Sequence, residues 1–286
     1  MYSITKQKQA EKATKEEVMS GINTRIAKLF NGKKNLVISA LDHVMEYGDQ
    51  PGIEDSERAI MNCLDTDALL LPRFMLKRHA DLFTSRSCPV PVVRINWTSS
   101  FYYPLNYRAG FTSIATTVEE AVAAGGEIVI CSLFLENENE EMETENVRIF
   151  SDVVRQKEKL GIPLIGECYV VEHQDLTPAG VHKKVKRVTR VMAELGADLI
   201  KCFLTDNFQN VVDNLPVPAF TIGADKLQND LDVLKKAETS VVQGARGIIF
   251  GRNIFMSDNP KGLVGALNSV INDGISPSQA IETLAN

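Results

Sequence analysis

The chain has 286 residues, 44% of them hydrophobic and 24% charged, and carries a net charge of −6. That length suits one α/β barrel or two modest domains, and the acidic balance gives no electrostatic reason to expect nucleic acid or an anionic membrane as partner. Residues 1–15 are rich in Lys, Gln and Glu without an apolar signal core, and no apolar stretch approaches the ~20 residues that span a bilayer. Five scattered cysteines (Cys63, Cys88, Cys131, Cys168, Cys202) form no C-x-x-C pair, which argues for a reducing cytoplasm rather than a disulfide framework.

A helical segment is expected over 16–30, as part of a short N-terminal extension, residues 1–30, packed against a single domain of 31–286. Short apolar or β-branched runs then recur at Leu36–Leu41, Asp67–Leu71, Pro91–Asn96, Glu127–Leu133, Pro163–Tyr169, Asp198–Leu204, Val217–Ile222 and Gly247–Phe250. Segments with helical apolar spacing separate most of them. Val147, Phe150, Val153 and Val154 precede Gly161, Val185, Val188, Val191 and Met192 precede Gly196, and Leu227, Leu231, Leu234 and Val242 precede Gly244, the glycines marking helix C-termini. The acidic run from Glu136 to Glu141 reads as the solvated start of a helix, and Lys183-Lys184-Val185-Lys186-Arg187 as a solvated helix face. Eight nearly continuously apolar strands alternating with helices imply a parallel sheet buried on both faces, and eight is the number that closes a (β/α)8 TIM barrel. A doubly wound open sheet competes less well, because no G-x-G-x-x-G opens the first helix.

Active sites of such barrels lie at the C-terminal ends of the strands. The sixth run, Asp198-Leu199-Ile200-Lys201-Cys202-Phe203-Leu204, carries a lysine where a barrel strand should have no charge. Burial disfavours the ammonium, so such a lysine either finds a carboxylate or gives up its proton, and a neutral amine can attack a ketone to form a Schiff base. A structural lysine at a strand end, or a buried ion pair of Lys201 with Asp42 or Glu167, is the plainer reading. The first run ends in Asp42-His43 and the fifth in Glu167-Cys168-Tyr169. Alternation puts Glu167 and Tyr169 on one face, and an acid, a phenol and a lysine at neighbouring strand tips suit imine chemistry, which needs an amine and groups that move protons. Loops after the last two strands of barrels frequently bind phosphate. Here they hold Gly223 and Gly251, which permit close approach, and Arg252, which adds charge. The four histidines show no H-x-H or H-E-x-x-H spacing, so no metal and no cofactor is expected, and His43 is taken as the one histidine near the mouth.

From about Gly21 to its C-terminus the chain resembles the class I, Schiff-base aldolase family that contains archaeal-type fructose-bisphosphate aldolases, the autoinducer-2 thiolase and aminodideoxyheptulosonate synthases, a DeoC-like barrel group. The resemblance rests on Leu41-Asp42-His43 with Pro51-Gly52-Ile53-Glu54-Asp55, on Gly196-Ala197-Asp198-Leu199-Ile200-Lys201, and on Gly251-Arg252-Asn253-Ile254-Phe255 with Asp258 and Pro260 downstream. It implies Lys201 as the Schiff-base lysine, Tyr169 as proton donor and Asp42 as proton acceptor. It further implies a substrate phosphate held by Gly223, Ala224, Gly251 and Arg252, and a homo-oligomeric ring, often a decamer. Bisphosphate-cleaving members resemble W-x-Y-P-R-G after the fifth strand, where this chain has Glu167-Cys168-Tyr169-Val170-Val171-Glu172. Glu167 replaces the tryptophan and Val171 the arginine, so a second phosphate loses its charge-assisted bonds. Asp225 also adds a negative charge beside the phosphate loop. The expectation is therefore an aldolase acting on a phosphorylated ketose other than fructose 1,6-bisphosphate, with Glu167 touching the variable end of the substrate. The alternatives are a thiolase or transaldolase-type transferase on the same scaffold, and a phosphosugar-binding protein without catalysis.

Overall fold

The structure, a computed structural model, describes residues 21–100, 105, 107, 110–137 and 139–284. Its strands are β1 (Leu36–Ala40), β2 (Ala68–Pro72), β3 (Val90–Arg94), β4 (Asn96–Thr98), β5 (Thr112–Ile114), β6 (Ile128–Ser132), β7 (Leu164–Cys168), β8 (Leu199–Cys202), β9 (Ala219–Ile222) and β10 (Gly247–Phe250). Eight of them close in the order β1-β10-β9-β8-β7-β6-β3-β2, all neighbours parallel, which is a TIM barrel. The remaining two, β4 and β5, form a separate antiparallel hairpin. All eight expected barrel strands are present. The third is shorter than expected, because the chain leaves the barrel after Arg94 and Asn96 already belongs to the hairpin.

The helices begin and end where local chemistry dictates. Asn139, Thr177 and Asn229 each accept a backbone N–H three residues on and so start helices Glu140–Leu160, Pro178–Leu195 and Asp230–Val242. Gly161 and Gly196 end the first two in the left-handed conformation that glycine adopts without steric cost. Two sequence expectations are corrected. The acidic run does not start the helix at Glu136, which stands in a loop at φ 63°; helix begins at Glu140, and residue 138 lies outside the described residues. The basic cluster is not wholly solvated either, since Lys184 is buried and pairs with Glu172. Of the expected N-terminal segment, residues 21–30 are helical and 1–20 lie outside the described residues. No described helix is long and apolar enough to cross a membrane.

Strand parity sorts the side chains into two cores. Val37, Leu69, Leu71, Val93, Val129 and Cys131 face outward under the helices, while Ile38, Leu70, Val92, Ile130, Ile165, Leu199, Phe220 and Ile249 fill the barrel interior. Following each inward series two residues further toward the C-terminal ends gives Ala40 and then Asp42, Pro72, Arg94, Ser132, Glu167, Lys201, Ile222 and Gly251. The interior is thus apolar through its lower layers and polar in the top one from β3 through β8 and at the end of β1. Register aligns three of these in a row, Ser132 opposite Glu167 and Glu167 opposite Lys201.

Candidate active site

The polar part of the top layer floors a cleft whose lining includes Asp42, His43, Glu46, Tyr47, Glu167, Tyr169, Lys201, Gly223, Ala224, Gly251 and Arg252. All eight residues singled out from the sequence line it. Lys201, buried on β8, places Nζ 2.5 Å from Glu167 Oε1. Of the two routes open to a buried lysine, the structure shows the carboxylate.

Arg94, which the sequence reading passed over, organises the floor. Only 1% of it is exposed. Nε and Nη2 both lie 2.8 Å from Asp42 Oδ2, Nη1 lies 2.6 Å from Glu167 Oε2 and donates to Ser132 Oγ at 2.7 Å, and Nη2 stands 3.5 Å from Glu46 Oε1. The Ser132 hydroxyl in turn donates to Glu167 Oε2. The signal was available: Arg94 interrupts the apolar run Pro91–Asn96 as Lys201 interrupts its own, and inward parity puts both in the same layer.

Glu167 therefore has both oxygens occupied, one by Lys201 and the other by Arg94 and Ser132. Burial pushes its carboxyl up, but the two cations prevail and hold it well below the usual carboxylate range. Of the two partners that the sequence reading left open for this carboxylate, the structure shows Lys201. Val171, at the other diagnostic position, is buried against Phe134 with Trp97, Tyr47 and Tyr169 packed beside them.

Burial pushes the Tyr169 phenol up to about 12, with Arg252 opposing, so it enters chemistry as a hydroxyl. The half-buried His43 ring has Nδ1 3.6 Å from Asp42 Oδ1, and loss of solvent around it outweighs that carboxylate to bring its pKa down to about 4, leaving the ring neutral near pH 7. It is the one histidine among the described residues that line the cleft. Behind them His173 meets Tyr169 edge-on, with ring centroids 6.1 Å apart, and its Nε2 lies 3.8 Å from Asp225 Oδ2.

On the β9 side of the lysine, the loops after β9 and β10 are stitched together by Asn253, whose Nδ2 donates to the Gly223 and Asp225 carbonyls at 3.2 and 3.1 Å and whose Oδ1 accepts the Leu227 N–H at 2.8 Å. Lys236 Nζ donates to the Gly223 carbonyl at 2.7 Å from behind. Arg252 Nη2 reaches the Ala224 carbonyl at 3.0 Å and Asp225 Oδ1 at 3.2 Å. Gly251 admits no side chain, since a Cβ there would fall 2.3 Å from His43 Cε1. Ala224 holds φ +56°, a conformation that costs an L-residue roughly 1–2 kcal/mol. These two loops bring backbone and one guanidinium to the same side of the cleft, the arrangement expected for an anion.

Residues 36–257 match the sequence profile of the DeoC/LacD family aldolases. The chain belongs to that family. Its relatives include an uncharacterized aldolase of Saccharolobus solfataricus, 28% identical over 93% of this chain and 100% of that protein. The 2-amino-3,7-dideoxy-D-threo-hept-6-ulosonate synthase 1 of Archaeoglobus fulgidus is 25% identical over 94% and 97%. The 3-hydroxy-5-phosphonooxypentane-2,4-dione thiolase of Photorhabdus laumondii is 28% identical over 92% and 86%. Among solved structures, a Schiff-base-forming fructose-1,6-bisphosphate aldolase superposes with a TM-score of 0.73 at 22% identity, covering 87% of this chain and 99% of that one, a likeness of fold.

Proposed function

We propose that this family member is a Schiff-base aldolase that makes or breaks the C–C bond next to the ketone of a phosphorylated ketose, with Lys201 as the nucleophile. The observation that carries the reading is Lys201 Nζ, buried and 2.5 Å from the Glu167 carboxylate, in a cleft that the Gly223–Ala224 and Gly251–Arg252 pair of loops also lines. Glu167 stays ionised and holds Lys201 in place for attack, the iminium serves as electron sink for the carbanion released by C–C cleavage, and Asp42 and Tyr169 exchange protons with the substrate hydroxyl and the enamine carbon. Arg94 keeps Glu167 ionised and holds Asp42 in place. The loops take the phosphate through backbone N–H groups and Arg252, with Asp225 yielding its hold on the guanidinium. A ring-shaped homo-oligomer in the cytoplasm fits the same reading, supported by the family likeness and by the free cysteines.

Borohydride reduction in the presence of dihydroxyacetone phosphate should add the mass of the reduced adduct to the peptide that carries Lys201. Failure to trap with any of a panel of ketose phosphates, in protein shown to be folded, would sink the imine. The 28% identity to the Photorhabdus thiolase supports a second reading, acyl transfer to coenzyme A on the same scaffold. Coenzyme A-dependent turnover of a phosphorylated dione without retro-aldol products selects it over the first.

A further inference from the structure

The floor of the cleft holds more carboxyls than cations. Asp42, Glu46 and Glu167 surround Arg94 and Lys201, and the remaining cation of the cleft, Arg252, is paired with Asp225. Donors are shared unequally among the three. Glu167 takes Lys201, Arg94 and Ser132, and Asp42 Oδ2 takes two nitrogens of Arg94. Glu46, one helical turn beyond Asp42 and only 6% exposed, has among the described residues a single polar contact, the edge of Arg94 at 3.5 Å. A buried carboxyl with neither a dedicated cation nor a set of donors keeps its proton. Burial first and the Asp42 charge second raise its pKa to about 8, against the pull of Arg94. The other candidates for an acid in this cleft are less able to act: Glu167 is held ionised, and Tyr169 titrates near 12.

We infer that Glu46 is the acid of imine formation, a role beyond those of Lys201, Asp42, Tyr169 and Glu167, donating its proton to the hydroxyl that leaves the carbinolamine. The step balances as follows. The carbinolamine C–OH takes the Glu46 proton, the C–O bond breaks with its electron pair leaving as water, and the nitrogen lone pair closes the C=N bond. A neutral carbinolamine and a neutral acid become a cationic iminium, a carboxylate and water. The new carboxylate forms beside Arg94, and hydrolysis of the product imine runs the step in reverse and restores the proton. The inference rests on the imine reading and names the proton source for that same site.

The groups whose charge reaches Glu46 are Asp42 from the end of β1, Arg94 from β3, Glu167 from β7 and Lys201 from β8, with Tyr47 next to it on its own helix and Tyr169 beyond. Because the protonated form is the active one, imine formation should fall as pH passes about 8. The experiment follows the rate of borohydride-trapped adduct at Lys201 with dihydroxyacetone phosphate across pH 6–10, with binding of the same compound measured separately. Glu46→Gln, which copies the shape of the neutral acid, should slow trapping by roughly 100-fold, abolish the alkaline fall and leave binding within about threefold of the native protein. Glu46→Asp should keep the alkaline fall and recover most of the rate, and it carries the test should the amide variant not fold. An alkaline fall that survives in Glu46→Gln, or trapping at near-native rate, overturns the inference while leaving the imine standing. A native protein that never traps overturns both.

Discussion

Arg94 is the residue on which the floor of this site depends, and its removal distinguishes a positioning role from a packing one. Truncating one partner of a buried ion network leaves charges without compensation, which typically costs about 3–5 kcal/mol. Arg94→Met conserves most of the volume but strands Asp42 and Glu167, so its unfolding free energy in urea should fall by that amount. Arg94→Lys should recover less than half of it, because a single ammonium cannot reach carboxylates on β1 and β7 and the Ser132 hydroxyl together. A loss below about 1 kcal/mol in Arg94→Met would mean that the carboxyls simply take up protons and that the network is not held by this guanidinium.

Among elements, the loops after β9 and β10 are built for close approach. Gly251 lets the backbone lie against the His43 ring, and any side chain there must push that ring, and with it the end of the Asp42-His43 turn, out of place. Gly251→Ala is expected to weaken dihydroxyacetone phosphate binding at least ~10-fold, about 1.4 kcal/mol, in titration calorimetry. Binding of unphosphorylated dihydroxyacetone should change far less. Equal losses for both compounds would show that the loop positions the lysine end of the site and not a phosphate. The β4–β5 hairpin is the element that the sequence concealed. Its strands are three residues each, too short for an alternating pattern to announce them, and Asn96 reads as the natural end of the preceding apolar run.

On the scale of the whole molecule, the site exists only because the barrel closes, and closure runs through β1 and β10. Gly247 sits opposite Leu36 at φ +130°, and a Cβ there would fall 2.1 Å from the Leu36 carbonyl oxygen. Gly247→Ala should therefore cost about 3 kcal/mol or more, through backbone strain and steric overlap together. The matched control is Gly265→Ala, inside helix Pro260–Asn272, where nothing lies within 4 Å of the added carbon. That change should be neutral or stabilising by up to ~1 kcal/mol. Similar melting temperatures for the two variants would refute the closure argument.

The sequence by itself determined the barrel, because eight strands buried on both faces must be apolar throughout, and helix termini must be capped by residues of particular chemistry; both constraints are local and leave their mark residue by residue. Parity and strand-end position also picked out seven of the eight residues of the candidate site, Lys201 most plainly, since a charge inside an apolar run is visible without a partner; the eighth, Ala224, came from the family resemblance. Which charges meet was left to the tertiary structure. Arg94 and Lys201 lie on strands separated in sequence by more than a hundred residues, and only the register Ser132–Glu167–Lys201 around a closed barrel brings both to one carboxylate. That convergence makes Glu167 the partner of the lysine. It also left Glu46, an ordinary helical glutamate by sequence, as the carboxyl without a cation of its own: charge balance in a buried cluster is a property of the whole set, and no single residue in the chain records it.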